Sequence, residues 1–145
     1  MTLSEIQEEW IKDSRIDLLN LAEEAARVPV LHAKYMKILT STRLQQRKVE
    51  AEYKQYKKLK ERYYRGELSK EELNENGWGQ YLHNRPLKNE IDSVLDADDD
   101  MIKKIDKIEY YKTMMVLLEQ IIKSINSRTW DVKSAIDWKK FTGGA

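Results

Sequence analysis

The sequence predicts an all-α fold: long helices with helical-bundle or coiled-coil packing, oligomerising through the C-terminal helices. Three observations predict it. Only 2 prolines and 5 glycines interrupt 145 residues, so long helices meet few breakers. Apolar residues recur at three- and four-residue spacing, and no stretch alternates in the manner of a strand. Charged residues make up 35% and hydrophobic residues 41%, a chain highly charged yet too apolar for simple disorder.

The elements follow in order. Thr2 and Glu5 have capping-box spacing at the head of a first helix with Ile6, Trp10 and Ile11 on its apolar side. Asp13 to Asp17 reads as an interruption, with Asp17 a candidate cap for a second helical stretch through Leu18, Leu21, Ala22, Ala25 and Ala26. Pro29 lacks an N–H, so a kink or break is expected near Val28. From Val30 to Arg65 there is neither Gly nor Pro, which predicts one helix about 50 Å long. Its seam is Tyr35, Ile38, Thr42, Gln45, Val49, Glu52, Tyr56, Leu59 and Tyr63, and Gly66 ends it.

Ser69 to Pro86 reads as a short turn of helix at Lys70–Leu73 and then a loop. Pro86 opens a short helix over Leu87, Ile91, Val94 and Leu95. Asp96 to Asp100 forms an acidic hinge that caps the helix from Met101 to Ser127. That helix has an unbroken heptad of Ile108, Tyr111, Met115, Leu118, Ile122 and Ile125, and a second apolar face of Met114, Leu117 and Ile121. A helix apolar on two sides needs enclosure on two sides, which in so small a chain points to burial between subunits. A last helix is expected from Thr129 through Trp130, Val132, Ile136 and Trp138, with the terminal Gly-Gly-Ala frayed. The organisation is therefore 1–66, acidic N-terminal helices and a long basic helix; 67–87, a loop; and 88–145, the C-terminal helices.

Several function classes fall away. Without cysteine there are no disulfides, thiolate nucleophiles or Cys-based zinc sites. No Gly-rich phosphate loop is present. His32 and His83 are far apart and read as ordinary surface or core histidines. Asp96, Asp98, Asp99 and Asp100 lack the glycine and final glutamate of a calcium loop, so helix capping is the better reading than a metal-dependent nuclease. The N-terminus has neither the basic start nor the apolar stretch of a signal peptide, and no apolar run approaches the roughly 20 residues of a membrane span. No catalytic residue, metal or cofactor is expected.

A net charge of only +1 provides no global field, so any case for nucleic acid rests on a local patch. That patch runs from Arg43 to Arg65. It holds Arg43, Arg47, Lys48, Lys54, Lys57, Lys58, Lys60, Arg62 and Arg65 against Glu50, Glu52 and Glu61 alone, interleaved with Tyr53, Tyr56, Tyr63 and Tyr64. Cations gather phosphates by counterion release, and tyrosine rings stack on unpaired bases. The same pattern also fits a charged coiled coil, a membrane surface or an acidic protein partner.

At Lys58-Leu-Lys-Glu-Arg-Tyr-Tyr-Arg-Gly66 the sequence resembles the UvsY recombination mediator proteins of T-even-type phages. The resemblance keeps Lys58, a cation at Lys60, the pair Tyr63-Tyr64 and Gly66. It extends to Leu3 through Asp13, Ile16-Asp17, Glu24-Ala25-Ala26, Val94-Leu95 with Ala97-Asp98, and Ile122-Lys123-Ser124; only 68–85 has no convincing counterpart. It implies a non-catalytic protein that binds single-stranded DNA and forms ring-like hexamers or heptamers. Such a protein helps a phage recombinase replace the single-strand-binding protein on the strand, in the cytoplasm of the infected bacterial host. The family's cationic contacts fall on Lys58 and Lys60, the second usually being arginine. The expected DNA-binding set is Lys54, Lys57, Lys58, Lys60, Arg62, Tyr63, Tyr64 and Arg65. The expected oligomerisation set is Ile108, Tyr111, Met115, Leu118, Ile122, Ile125, Trp130, Ile136 and Trp138. The acidic stretch with Glu5, Glu8, Glu9, Asp13, Glu23 and Glu24 is a candidate docking face for the protein partners, although a solvated helix surface is the better reading.

Overall fold

The first helix, α1 (Leu3–Asp13), begins at the expected capping box: Thr2 Oγ1 accepts the Glu5 N–H at 3.2 Å and the Glu5 carboxylate accepts the Thr2 N–H at 2.8 Å. Four helices follow in the computed structural model, which describes residues 1–143. They are α2 (Leu21–Tyr64), α3 (Lys70–Asn76), α4 (Ile91–Asp96) and α5 (Asp99–Gly143). No strand occurs among the described residues. Of the terminal residues expected to fray, Gly144 and Ala145 lie outside that range.

Both long helices run further than the sequence reading allowed. Pro29 sits inside α2 and does not end it. Its missing N–H leaves a carbonyl of the preceding turn without a helical partner, but Ala25, Ala26 and Pro29 are all exposed, so that carbonyl is open to solvent. The opposite side, Leu21, Glu24, Leu31 and Tyr35, is buried and holds both segments to one core. Asp17 therefore does not cap α2. Its carboxylate accepts from Leu19 N–H and from the Asn20 side-chain amide within the link before the helix. Likewise α5 continues through Thr129, because no Gly or Pro occurs between Asp99 and Gly143 and one threonine costs only a few tenths of a kcal/mol in a helix.

The chain divides into two compact units that do not follow the three sequence segments. Unit 1 is Met1–Leu44 with Tyr111–Ala145, and unit 2 is Gln45–Tyr110. In unit 1, Ile6 of α1 and Leu31, Tyr35 and Leu39 of α2 close over Met114, Met115, Leu118, Ile121 and Ile125 of α5. Trp10 meets the Tyr35 ring edge-on at 5.4 Å. The Tyr35 hydroxyl donates to Asp13 at 2.9 Å, and the Lys34 ammonium bridges Glu9 and Asp13 at 2.7 and 2.6 Å. The acidic side of α1 is thus partly occupied inside the chain.

This core takes up much of the expected oligomerisation set within one chain. Both apolar faces of α5 are covered by α1 and α2 of the same chain, so Met115, Leu118 and Ile125 are spent internally, with Tyr111 and Ile122 packed against them. Ile108 is buried in unit 2. Of the nine residues, Trp130 and Trp138 stand out in solvent at 68% and 67% exposure, while Ile136 is half-buried. Phe141 lies 6.0 Å from Trp138 on the same stretch.

One buried cation closes unit 1. The Arg128 guanidinium donates to the Ser14 and Arg15 carbonyls at 3.1 and 2.7 Å and pairs with Glu24 at 2.7 Å, leaving only Nε without a partner. It holds α5 to the link between α1 and α2. Removing one member of a buried pair strands the other charge. Arg128→Met is therefore expected to lower unfolding free energy by about 3 kcal/mol, read by urea denaturation. Loss of less than about 0.5 kcal/mol, an ordinary surface effect, would remove this pair from the account.

Candidate nucleic-acid interface

Within unit 2 the helical period sorts the basic stretch of α2 into two faces. Arg47, Lys54, Lys58 and Arg65 are spaced by seven, four and seven residues, which places the first three on one side of the helix with Arg65 following at its end. All four are exposed, and none has an ion pair or hydrogen-bonded side-chain partner among the described residues. Arg47 to Arg65 spans about 27 Å at 1.5 Å per residue. Lys57 flanks this face half-buried and also unpaired, and Glu61 is the one carboxylate between Lys54 and Arg65.

The opposite face is apolar and aromatic. Tyr53, Tyr56 and Tyr64 pack on Ile91 and Leu95 of α4 and Met101 of α5. Lys60, four residues after Tyr56, turns into this face and is only 5% exposed. Its ammonium lies 3.2 Å from Asp98 and 3.1 Å from Asp100. It also lies 4.2 Å from the centroid of the Trp78 ring and 5.4 Å from that of Tyr63. Asp98 caps α5 by accepting the Met101 N–H at 3.0 Å, and it accepts the Tyr64 hydroxyl at 2.5 Å. The acidic hinge therefore does the capping expected of it and also neutralises a buried cation. Among the described residues no group of three or more acidic or histidine side chains is arranged to hold a metal.

Protonation states follow from these contacts. Burial pulls the Asp98 carboxyl upward, but hydrogen bonds from Tyr64, the Met101 backbone and Lys60 outweigh it and hold Asp98 below the usual carboxylate range. Burial, then the negative charge of Asp100, pushes the Tyr56 phenol up to about 12. Burial and the bond to Asp98 push Tyr64 upward too, so both remain neutral donors at physiological pH.

The expected DNA-binding set is thus split. Lys54, Lys57, Lys58 and Arg65 remain at the surface as unpaired cations. Lys60 is buried and paired with Asp98 and Asp100. Arg62 is held by Glu72 through two contacts of 2.8 and 3.0 Å, which tie α3 to α2. Tyr63 and Tyr64 are half-buried in a chain of rings, 5.2 Å from each other and 5.8 and 5.0 Å from Tyr81. Arg47, part of the basic patch but left out of the expected DNA-binding set, joins the outer face; its spacing of seven from Lys54 is the signal that places it there. The sequence reading missed that Trp78 and Tyr81, in the segment read as loop, complete the aromatic cluster.

Two outcomes follow for this network. Lys60→Ala is expected to lose about 3–5 kcal/mol of stability as a broken buried pair, whereas Lys58→Ala stays within about 0.5 kcal/mol; equal effects in urea unfolding would contradict the assignment. A carboxylate held below its unfolded value, about 3.9 for Asp, stabilises the fold above that pH, and the contribution fades as pH falls through the folded value. Asp98→Asn should therefore flatten the loss of stability below pH about 4, and an unchanged acid limb would count against a depressed Asp98.

Comparison with known proteins bears on what this arrangement serves. The family model described as the recombination, repair and single-stranded-DNA-binding protein UvsY matches residues 9–145. The recombination protein uvsY of Enterobacteria phage T4 is 28% identical over 144 residues, covering 99% of each chain. Crystal structures of the bacteriophage T4 recombination mediator protein UvsY are similar throughout. One has a TM-score of 0.83 at 27% identity, with 99% of this chain and 98% of that chain covered. Another lattice form has 0.81 at 27% identity, covering 98% and 99%. With nearly the whole chain matched, this protein belongs to the UvsY family of recombination, repair and single-stranded-DNA-binding proteins.

Proposed function

We propose that the chain is a non-catalytic recombination mediator. It holds single-stranded DNA on the outer face of α2 and helps a phage recombinase load onto strands coated by the phage single-strand-binding protein, in the cytoplasm of the infected host. The observation that carries the reading is the exposed set Arg47, Lys54, Lys58 and Arg65, free of internal carboxylate partners. Phosphates attract such cations by releasing condensed counterions, and a chain of net charge +1 has little other means of drawing a polyanion. No helix among the described residues is long and apolar enough to cross a membrane.

Self-association into a hexamer or heptamer would multiply this face around one strand. Linked weak sites gain orders of magnitude in avidity without new contacts. The exposed Trp130, Trp138 and Phe141, with Ile136, are a group of apolar side chains near the end of α5 that remain available for such contacts, as does Val116 further up the helix. A strand wrapped on the assembly would be presented to the recombinase and loosened from its resident coat.

The experiment is a salt titration of binding to a labelled single strand. Lys54→Ala, Lys58→Ala and Arg65→Ala together should make the slope of log affinity against log salt less steep by about 2 per protomer, with helix content and assembled mass unchanged. Undiminished affinity and slope would defeat the assignment. Separately, Trp130→Glu with Trp138→Glu should lower the mass seen by sedimentation; an assembly that persists places the subunit contact elsewhere.

A further inference from the structure

Beyond the cationic face, unit 2 carries a concave site that the basic stretch does not account for. A cavity of about 260 Å³ is lined by Lys70, Leu73 and Asn74 of α3 and by Trp78, Gly79 and Gln80 of the segment after it. It is smaller than the roughly 300–1,000 Å³ of sites for drug-sized ligands, a size suited to one flat ring system. We propose that this cavity takes a single unpaired nucleobase of the bound strand. Trp78 serves as the stacking wall, the Asn74 and Gln80 amides meet the base edge, and Lys70 meets the adjoining phosphate. The proposal rests on the single-strand reading and adds a base subsite to it.

Four features converge on that chemistry. The Trp78 indole is held in place: its ring lies 4.2 Å from the Lys60 ammonium and contacts Tyr63 at 5.2 Å and Tyr56 at 6.0 Å. A fixed aromatic surface loses little freedom when a base stacks on it. The approach is open, because a Cβ added at Gly77 or Gly79, on either side of Trp78, would meet nothing within 4 Å. Gly77 itself has φ +69, so the turn that swings Trp78 out from α3 favours a residue without a side chain. Finally, the side chains of Lys70, Asn74 and Gln80 make no hydrogen bond or ion pair among the described residues. Each amide presents both a donor and an acceptor, as base edges do, and the ammonium presents donors only. An apolar ligand would leave these polar groups unmatched.

The test compares a labelled oligothymidylate with an abasic strand of the same length, on the full chain. Both carry the same phosphates, so the cationic face treats them alike. The unsubstituted protein should bind the thymidylate at least roughly five-fold more tightly, the lower end of one base stacked on an aromatic ring. Asn74→Ala with Gln80→Ala, both on the surface, should reduce that preference while leaving affinity for the abasic strand unchanged. Trp78→Phe keeps a ring in the cluster and should abolish the part of the tryptophan quench that thymidylate causes and the abasic strand does not. Equal affinity of the unsubstituted protein for the two strands overturns the inference and leaves the mediator reading standing. So does a preference that survives the amide substitutions together with a quench that survives Trp78→Phe. Absence of binding to either strand overturns the reading and the inference with it.

Discussion

The buried Lys60 ammonium is the constraint on which unit 2 depends. A charge removed from water must be matched, and Asp98 and Asp100 match it at 3.2 and 3.1 Å. Those two carboxylates sit at the start of α5, Trp78 lies beside the same ammonium, and Lys60 itself belongs to α2. One side chain therefore binds the basic helix, the head of the C-terminal helix and the segment after α3 into one piece. Tyr64 reinforces it by donating to Asp98. Without this inward cation, the register that keeps Lys54 and Lys58 in solvent would lose its polar anchor.

Much of the architecture was legible in the pattern of residues. The Thr2–Glu5 box, the Ser69 start of α3 and the aspartates before α5 are local chemistry, and each capping group lies within three residues of its backbone partner. The differences were also physical. Pro29 reads as a breaker when only its own turn is considered; it is tolerated because its face of α2 meets water and the other face is pinned by Leu31 and Tyr35. The two apolar faces of α5 called for enclosure, and the sequence does not reveal that α1 and α2 of the same chain pack on them.

The site was legible in part for the same reason. A run of cations is visible in any listing of residues, but which of them face water depends on helix phase relative to partners far along the chain. Lys60 lies four residues after Tyr56 and next to the seam residue Leu59, so its phase was available; its partners, Asp98 and Asp100, are about forty residues away and were read as a capping hinge. Arg62 was counted as a phosphate ligand because nothing local announces Glu72 of α3 as its partner. The aromatic cluster spreads over α2 and the segment through Tyr81, so its outer members escaped a reading confined to one helix.

The central claim is a division of labour on α2: outer cations for the strand, the inner cation for the fold. Mapping lysine reactivity toward an amine-modifying reagent by mass spectrometry, on the native protein with and without a single strand, tests it most directly. The account predicts Lys54 and Lys58 modified rapidly in the free protein and protected by the strand, with Lys60 unreactive in both states. Ready modification of Lys60 in the free protein, with protection on binding, would contradict it.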